Sequence, residues 1–284
     1  MSITFLIPHP SFESQRVQQE LLNLGLKTIT VETWDSLYHP IPNFPKVLWV
    51  RFSPTIPIIY QLTSVEEFET QGTRVVNSKV AIETCDKMST YLFWKKYLQR
   101  EVRMPQTLIT RDLALAKNFI LKHKCIFKPI DRGLGQGVQL LSNNAELPKT
   151  LQTLLDTYGL LFLQEFIESR GYDIRAIVIG GENIIEYARV NADDFRHNIH
   201  LGGKIGDLKA MEIEPAVIMR IQEIAKAIAE KTRLDMVGID FMISDQTIYL
   251  LEWNAFFNFQ GAEQTLKVNV AKRIAEFLYK QIKS

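Results

Sequence analysis

MVGIDFMISDQTIYLLEWN, residues 236–254, predicts a β-hairpin with one polar and one apolar face. Side chains alternate between faces along a strand, and residues directly opposite each other in a hairpin share a face. With the turn centred on Gln246, Asp240 lies opposite Glu252, and Asn254 falls on the same face. The other face is expected to be core and collects Val237, Ile239, Phe241, Ile243, Tyr249, Leu251 and Trp253.

Asp240 and Glu252 would repel each other across this hairpin unless a cation lay between them. Two carboxylates and an amide oxygen are hard ligands of the kind that Mg²⁺ prefers. The predicted metal ligands are therefore Asp240, Glu252 and Asn254. The alternative is a solvated polar face whose acids are balanced by neighbouring arginine or lysine side chains.

A second stretch, FKPIDRGLGQGVQLL, places three glycines at alternate positions between two apolar runs. Glycine lets successive backbone amides turn toward one point, so such a loop can surround phosphate oxygens. A plain hairpin is the alternative. Walker A and dinucleotide-binding loops both lead into a helix, whereas here β-type VQLL follows the glycines. A protein-kinase loop has its lysine on the following strand, whereas Lys128 precedes this loop.

Composition excludes several classes of protein. Hydrophobic residues make up 46% and charged residues 23% of 284 residues, which is typical of globular proteins. The formal net charge of +1 gives no overall field to attract nucleic acid or acidic lipid. Two cysteines are too few for a disulfide framework, and no apolar run reaches about 18 residues. We therefore expect a cytoplasmic protein without a membrane span and without a nucleic-acid partner.

The order of motifs along the chain resembles ATP-grasp ligases, and within them the RimK-type glutamate ligases and the related LysX-type ligases. The resemblance covers roughly residues 80 to 284. It rests on segments read in order as CDK, FKP, the glycine loop, LQEFIE, GYDIRAIVIG, DFRHNIHLGG, GIDFM and LLEWNA. Several separated motifs are far more specific than any one of them.

This resemblance implies a three-lobed ATP-grasp fold that mixes α+β and α/β structure. A strand–helix–strand pattern at the start of the chain predicts the small N-terminal α/β domain. The predicted domains are residues 1–79 for that N-terminal domain, 80–165 for the central lid subdomain and 166–284 for the C-terminal subdomain. ATP would lie between the sheets of the last two.

The resemblance also implies a role for each matching residue. The nucleotide-binding residues would be Lys87, Lys128, Gly133, Gly135, Gly137, Glu165, Phe166, Asp173 and Arg196. Among them, the two lysines and the glycines would meet the phosphates, Glu165 and the Phe166 backbone the adenine, and Asp173 the ribose region. Arg196, Asn198 and Lys128 would act in catalysis. The acid–acid–amide set would hold one or two Mg²⁺ ions, with Mn²⁺ as an alternative.

The implied reaction is ATP-dependent ligation of a carboxylate to an amine through an acyl phosphate, with release of ADP and phosphate. The implied substrates are L-glutamate or a similar amino acid and a carboxylate on a cofactor, peptide or carrier protein. Related ligases suggest a homo-oligomer. The alternatives are a non-catalytic ATP-binding regulatory or scaffold protein and an enzyme acting on a non-amino-acid carboxylate.

Some residues admit a second interpretation. Arg51 follows an apolar strand where related ligases contact substrate, but it equally fits a surface arginine. Arg175 is predicted to orient substrate or to balance Asp173. His197 and His200 have no third ligand nearby, so no transition metal is predicted. The aromatic run of residues 256–259 departs from the small residues usual in the family, and we expect it at the substrate end.

Overall fold

The structure is a computed structural model that describes residues 2–130, 135–191, 194–197 and 202–284. Its first sheet is parallel, with strand order β2-β1-β3-β4. Its elements are β1 (Ser2–Ile7), α1 (Phe12–Asn23), β2 (Thr28–Thr33), β3 (Val47–Val50), α2 (Ile58–Thr70) and β4 (Arg74–Val76). Arg51 therefore lies just beyond the carboxyl end of β3, the edge at which parallel sheets usually bind ligands.

The second sheet is antiparallel, with strand order β5-β8-β6-β7. Two helices, α3 (Lys79–Ile82) and α4 (Lys87–Tyr97), lead into it. Its elements are β5 (Thr107–Thr110), α5 (Leu113–Lys122), β6 (Cys125–Phe127), β7 (Gln139–Leu141), α6 (Leu147–Tyr158) and β8 (Leu161–Glu165). Helices α5 and α6 contribute buried side chains such as Ile120 and Leu151 to the core beneath this sheet.

The third sheet is also antiparallel, with strand order β11-β10-β9-β12-β13. Its strands are β9 (Tyr172–Ile179), β10 (Glu182–Val190), β11 (Lys204–Gly206), β12 (Met236–Ser244) and β13 (Thr247–Asn254). Three helices accompany it: α7 (Pro215–Thr232), α8 (Gln260–Leu266) and α9 (Val270–Lys283). Three separate sheets with interspersed helices confirm the predicted mixture of α and β structure, whereas the exact domain boundaries stay predictions.

Helix α7 shows how the third sheet obtains its core. Ile221, Ile224 and Ile228 recur at helical spacing and are at most 2% exposed. They belong to the same apolar cluster as Ile239 of β12. Burying each isoleucine side chain is worth about 1.5–3 kcal/mol. One face of the sheet is thereby fixed against core, which leaves the other face for polar side chains.

The β12–β13 hairpin pairs Asp240 with Glu252, as the sequence predicts, but the turn and the strand register that produce this pair differ from the predicted ones. The turn is a two-residue one, because Ser244 pairs with Thr247 and both residues between them have positive φ. That turn alone would set Asp240 opposite Leu251. A bulge between the Phe241–Leu250 and Asp240–Glu252 pairs adds one residue to β13 and restores the register.

The bulge also corrects the predicted apolar face of β13. Leu250, not Tyr249 or Leu251, is the fully buried residue. Tyr249 pairs with Met242, and both are half-buried, while Leu251 lines the cleft described below. The prediction was wrong at these two positions because an extra residue shifts all side chains on one side of it to the opposite face.

In the described ranges, no helix is both long and apolar enough to span a membrane.

Candidate active site

A cleft lies between the second and third sheets, lined by residues of both. Clefts between two lobes of a protein are common binding places for small-molecule ligands and cofactors. Lys128 and Gln164 line it from the second sheet, and Asp240 and Glu252 line it from the third. Lys87, the first residue of α4, also reaches it. The structure thus brings together the lysines and acids that the sequence predicts in one site.

Strand pairing explains the acidic wall of this cleft. Asp240 is directly opposite Glu252 on β13 and Arg175 on β9. Asp173 lies two residues before Arg175, and therefore on the same face, and is directly opposite Arg189 on β10. Five charged side chains from four adjacent strands consequently share one face of the sheet.

Four of these side chains form a buried ion-pair network. The Arg175 guanidinium donates to both carboxylate oxygens of Asp240, each at 2.7 Å. The Arg189 guanidinium donates to both oxygens of Asp173, at 2.7 and 2.6 Å, and its Nη2 lies 2.9 Å from Asp240 Oδ2. Arg189, Asp173 and Asp240 are at most 5% exposed. Two positive and two negative charges therefore balance inside the protein.

This network settles which acid Arg175 balances. The alternative prediction, that Arg175 balances Asp173, was wrong, because Arg189 pairs with that acid. Burial acts to raise the pKa of Asp240, but Arg175 and Arg189 outweigh it and leave that pKa below its ordinary value. Asp240 is consequently ionised at neutral pH. Contact of Asp173 with a ribose and of Arg175 with substrate remain predictions.

The other two predicted metal ligands, Glu252 and Asn254, have fewer protein partners than Asp240 among the described residues. Within the described part of the chain, no lysine, arginine or histidine nitrogen lies within 4 Å of a Glu252 carboxylate oxygen. Asn254 is exposed, and its Oδ1 accepts one hydrogen bond, from the Phe256 N–H at 2.9 Å. A second lone pair of that oxygen stays available. The all-oxygen donor set therefore fits Mg²⁺, with Asp240 shared between the ion and two arginines.

Metals that prefer histidine or cysteine ligands fit this wall less well. Over the ranges that the structure describes, no group of three histidine, cysteine or acidic side chains has the arrangement of a metal site. His197 is buried beside the acids, with Nδ1 3.8 Å from Asp173 Oδ2. Burial lowers the pKa of His197, which favours the neutral ring. The predicted partner histidine, His200, and the catalytic candidate Asn198 lie outside the described residues.

The opposite wall carries the cation. Lys128 directly follows β6, and its backbone N–H donates to Phe162 O at 3.0 Å, which continues the strand pairing. Its ammonium donates to the side-chain oxygen of Gln164 at 2.6 Å. Burial lowers the pKa of Lys128 to about 8, with Glu252 acting to raise it and Lys87 to lower it further. An anion entering the cleft would restore the charge of this lysine.

We expect ADP affinity to fall about tenfold between pH 7 and pH 9, because a lysine with a pKa of about 8 is then mostly neutral. Isothermal titration calorimetry across this range measures it. The free energy of unfolding should respond in the opposite direction: the unfolded lysine keeps its proton longer, so stability rises between pH 8 and 10. Lys128→Met should remove the pH dependence of binding, and an unchanged slope in that variant would contradict the assignment.

Apolar side chains line the cleft on both sides, as the binding of a flat ring requires. Ile126 and Val138 line it from one sheet, and Met242 and Leu251 from the other. The Phe166 N–H donates to Lys124 O at 2.7 Å, so the carbonyl is the backbone group of Phe166 that can still meet a ligand. The Glu165 carboxylate accepts from the Gln106 N–H at 3.3 Å. Adenine binding by Glu165 and Phe166 stays a prediction.

The glycine loop, predicted to surround the phosphates, contacts Arg196, a predicted catalytic residue. Arg196 Nη1 donates to Gly135 O at 3.3 Å, and the same guanidinium pairs with Asp194 at 2.5 Å. Gly137 has a φ of +71°, and an added Cβ would lie 2.8 Å from the Pro129 ring. Glycine is therefore required there on both counts. The predicted Gly133 lies outside the described residues.

Arg51 is neither a surface residue nor part of the cleft lining. It is half-buried, and its guanidinium donates to Phe257 O at 3.2 Å, Phe256 O at 3.1 Å and Asn258 Oδ1 at 2.9 Å. The Phe256 ring stacks on Phe52, with 4.7 Å between ring centroids. Arg51 thus ties the first sheet to the aromatic run that follows Asn254.

Sequence reasoning missed three residues of this site: Arg189, Gln164 and Phe195. Arg189 bridges two acids, Gln164 accepts from Lys128, and Phe195 lines the cleft edge-on to Phe166. Strand alternation sets Gln164 on the face opposite the buried Leu161 and Leu163, and Arg189 on the face opposite the buried Ala188, and this was the available signal. Phe195 lies in irregular structure, where no periodicity marks a face.

Three sheets, with a cleft between the second and third that faces a lysine toward paired acids, define the ATP-grasp class of nucleotide-dependent enzymes. The model of the RimK-like ATP-grasp domain matches residues 85–278, so the chain belongs to the RimK-like ATP-grasp family. It is accordingly an ADP-forming ligase that uses ATP.

Relatives and solved structures agree with that membership. A probable alpha-L-glutamate ligase of Legionella pneumophila is 28% identical over 254 residues, covering 86% of this chain and 79% of the relative. Probable alpha-L-glutamate ligase 1 of Shewanella baltica is 25% identical, covering 99% and 96%. The ATP-grasp ligase PsnB, solved with its minimal precursor, Mg and ADP, superposes with a TM-score of 0.74 at 18% identity, covering 98% and 96%. The predicted ATP-grasp fold is thereby confirmed.

Proposed function

We propose that this ligase joins an amino acid, L-glutamate or a close analogue, to a carboxylate on a cofactor, peptide or carrier protein. The single observation that carries the proposal is the juxtaposition of Lys128 with Asp240 and Glu252 across one cleft. Such a cleft can hold a triphosphate between a cation and a metal-binding acid pair. The names of the relatives support an amino-acid substrate, and the precursor peptide present in another structure of PsnB supports a peptide acceptor as one option.

In the proposed reaction, a carboxylate oxygen of the acceptor attacks the γ-phosphorus of ATP, and the bond to the β–γ bridging oxygen breaks. ADP leaves, and an acyl phosphate remains. The amine nitrogen then attacks the acyl carbon, phosphate leaves with its bridging oxygen, and the nitrogen loses a proton. No serine, threonine or cysteine is among the described residues that line the cleft, so electrostatic stabilisation would carry the chemistry.

The basic and acidic residues of the cleft would have different roles in this reaction. Lys128 and Lys87 would bind phosphate oxygens and offset the charge that moves toward ADP. Arg196, beside the glycine loop, would approach the phosphoryl group in transfer. Asp240, Glu252 and Asn254 would hold Mg²⁺, whose positive charge polarises the phosphate when it is bound. The network of Arg175 and Arg189 would keep Asp240 ionised and fixed in direction.

The acceptor is proposed to bind at the junction of the first sheet and the run Phe256–Phe259. This junction lies two residues beyond Asn254 and at the carboxyl end of β3. Arg51 has no carboxylate within 4 Å among the described side chains and uses three of its five N–H groups on the aromatic run. It therefore has donors left for a substrate carboxylate.

Oxygen transfer tests the proposal directly. The enzyme is incubated with ATP, Mg²⁺, glutamate and an acceptor whose carboxylate carries ¹⁸O, and the released phosphate is analysed by mass. The acyl-phosphate route moves one ¹⁸O atom from each acceptor into phosphate. Unlabelled phosphate together with amide product would reject that route.

The acceptor itself is found first by screening phosphate release over amino acids and cell-extract fractions. ADP binding without turnover in every combination would instead favour the non-catalytic alternative. Turnover that needs no amine would indicate a different carboxylate chemistry.

A further inference from the structure

Gln164 is a buried polar residue of the cleft for which the family resemblance implies no role. It is 1% exposed and lies in the middle of the second sheet. Strand pairing sets it directly opposite Thr107 on one side and Ile126 on the other. Lys128 follows Ile126 by two residues and therefore shares its face. A central strand thus presents an amide to the neighbouring lysine.

The hydrogen bonds around Gln164 fix which end of its amide faces Lys128. The Thr107 hydroxyl has one hydrogen and donates it to Pro105 O at 2.9 Å. It can therefore only accept from Gln164 Nε2, which lies 3.1 Å away. The amide oxygen must then point at the Lys128 ammonium, which only donates and lies 2.6 Å away. Both neighbours require the same orientation.

We propose that Gln164 is a positioning residue: it holds the Lys128 ammonium toward the phosphate-binding part of the cleft, and Thr107 fixes it in that role. The inference rests on the proposed placement of phosphate at Lys128. A neutral oxygen suits this task, because it orients the ammonium while leaving its charge for the ligand. One of the three N–H groups is used by Gln164, and two remain for phosphate oxygens.

Lys128 would otherwise have competing partners. Glu252, Asp240 and Asp173 attract it electrostatically, whereas Lys87 repels it. A flexible lysine near three acids would adopt several side-chain conformations. In those that bring the ammonium closest to the acids, it would occupy the proposed metal-binding space. The hydrogen bond to Gln164, which lies in the same sheet as Lys128, prevents the ammonium from moving to the acids of the third sheet.

The test is a double-mutant cycle read by calorimetric binding of ADP with Mg²⁺, using Gln164→Leu, Lys128→Met and the double variant. Leucine keeps the volume and removes the hydrogen bond, so Gln164→Leu is expected to weaken ADP binding about tenfold. Because Gln164 acts through the ammonium, adding Gln164→Leu to Lys128→Met should change the dissociation constant less than twofold. Independent losses would multiply instead.

A matched control separates positioning from general destabilisation. Gln61 is likewise 1% exposed and fully hydrogen-bonded, but it lies in helix α2 beside the first sheet. Gln61→Leu should lower the thermal midpoint without changing ADP affinity. The proposal is overturned if Gln164→Leu leaves ADP affinity unchanged or multiplies the loss of Lys128→Met. Failure of the wild-type protein to bind ADP, or no effect of Lys128→Met, would instead reject the proposed function.

Discussion

Replacing Glu252 with glutamine is expected to lower kcat about a thousandfold while leaving the fold intact. The substitution keeps the shape of the side chain and removes the one acid of the pair that has no arginine partner among the described residues. A catalytic metal stabilises the moving charge by several kcal/mol, and about 4 kcal/mol corresponds to a factor of about a thousand in rate. Steady-state ADP release with saturating substrates measures the change.

The Mg²⁺ dependence of ADP binding gives a second measurement for the same variant. In the wild-type protein, Mg²⁺ should tighten ADP binding, and in Glu252→Gln this effect should be lost. The matched control is Glu182→Gln, in the same sheet, whose side chain is 68% exposed and pairs with Arg273 on the surface. Equal losses in both variants, or full Mg²⁺ dependence in Glu252→Gln, would remove Glu252 from the metal site.

The Asp240–Glu252 pair was predictable because two independent patterns constrain it. Apolar side chains at every second position from Val237 to Ile243 define a face that must be buried, so Asp240 falls on the other face, and the turn sets which residue of the second strand lies opposite it. The predicted turn was centred on Gln246, whereas the observed turn is centred between Asp245 and Gln246. The bulge at Leu251 compensated for that error. Bulges follow no residue pattern of their own, so the side-chain directions of Tyr249 and Leu251 could not be predicted.

The partners of the acids were harder to predict than their positions. Sequence reasoning gives the face of Asp173, Arg175 and Arg189, but the register between β9 and β10 decides which arginine meets which acid. That register depends on the two-glycine turn and an irregularity beyond it, between Asn183 and Ile185. Long-range pairs such as Arg51 with the carbonyls of residues 256 and 257 left no trace in the sequence, since backbone acceptors carry no residue identity.

The two guanidinium groups beside Asp240, the proposed metal ligand, have a consequence for the order of binding. Asp240 is already neutralised by Arg175 and Arg189, so it attracts a free divalent ion weakly. Of the two acids Asp240 and Glu252, Glu252 is the one that has no arginine or lysine nitrogen within 4 Å among the described residues. A triphosphate would add oxygen ligands and negative charge at once, which favours entry of Mg²⁺ together with the nucleotide rather than before it.

Arg189→Met is expected to lower the free energy of unfolding by about 3–5 kcal/mol, the usual cost of breaking a buried ion pair. Arg189 is 4% exposed and contacts both Asp173 and Asp240, so its removal leaves Asp173 with no arginine partner among the described residues, while Asp240 keeps Arg175. Denaturant unfolding followed by circular dichroism measures the loss. Arg220→Met, at a pair whose side chains are 48% and 62% exposed, should cost less than about 1 kcal/mol.

Charge balance, rather than the volume of the side chain, is the expected cause of that loss, and a second substitution separates the two. Adding Asp173→Asn to Arg189→Met removes the charge that has lost its arginine partner and leaves Asp240 paired with Arg175. The double variant should therefore be more stable than Arg189→Met alone, although it departs further from the natural sequence. If Asp173→Asn instead lowers the free energy of unfolding further, the loss in Arg189→Met comes from packing around Arg189 and not from the charges of the two acids.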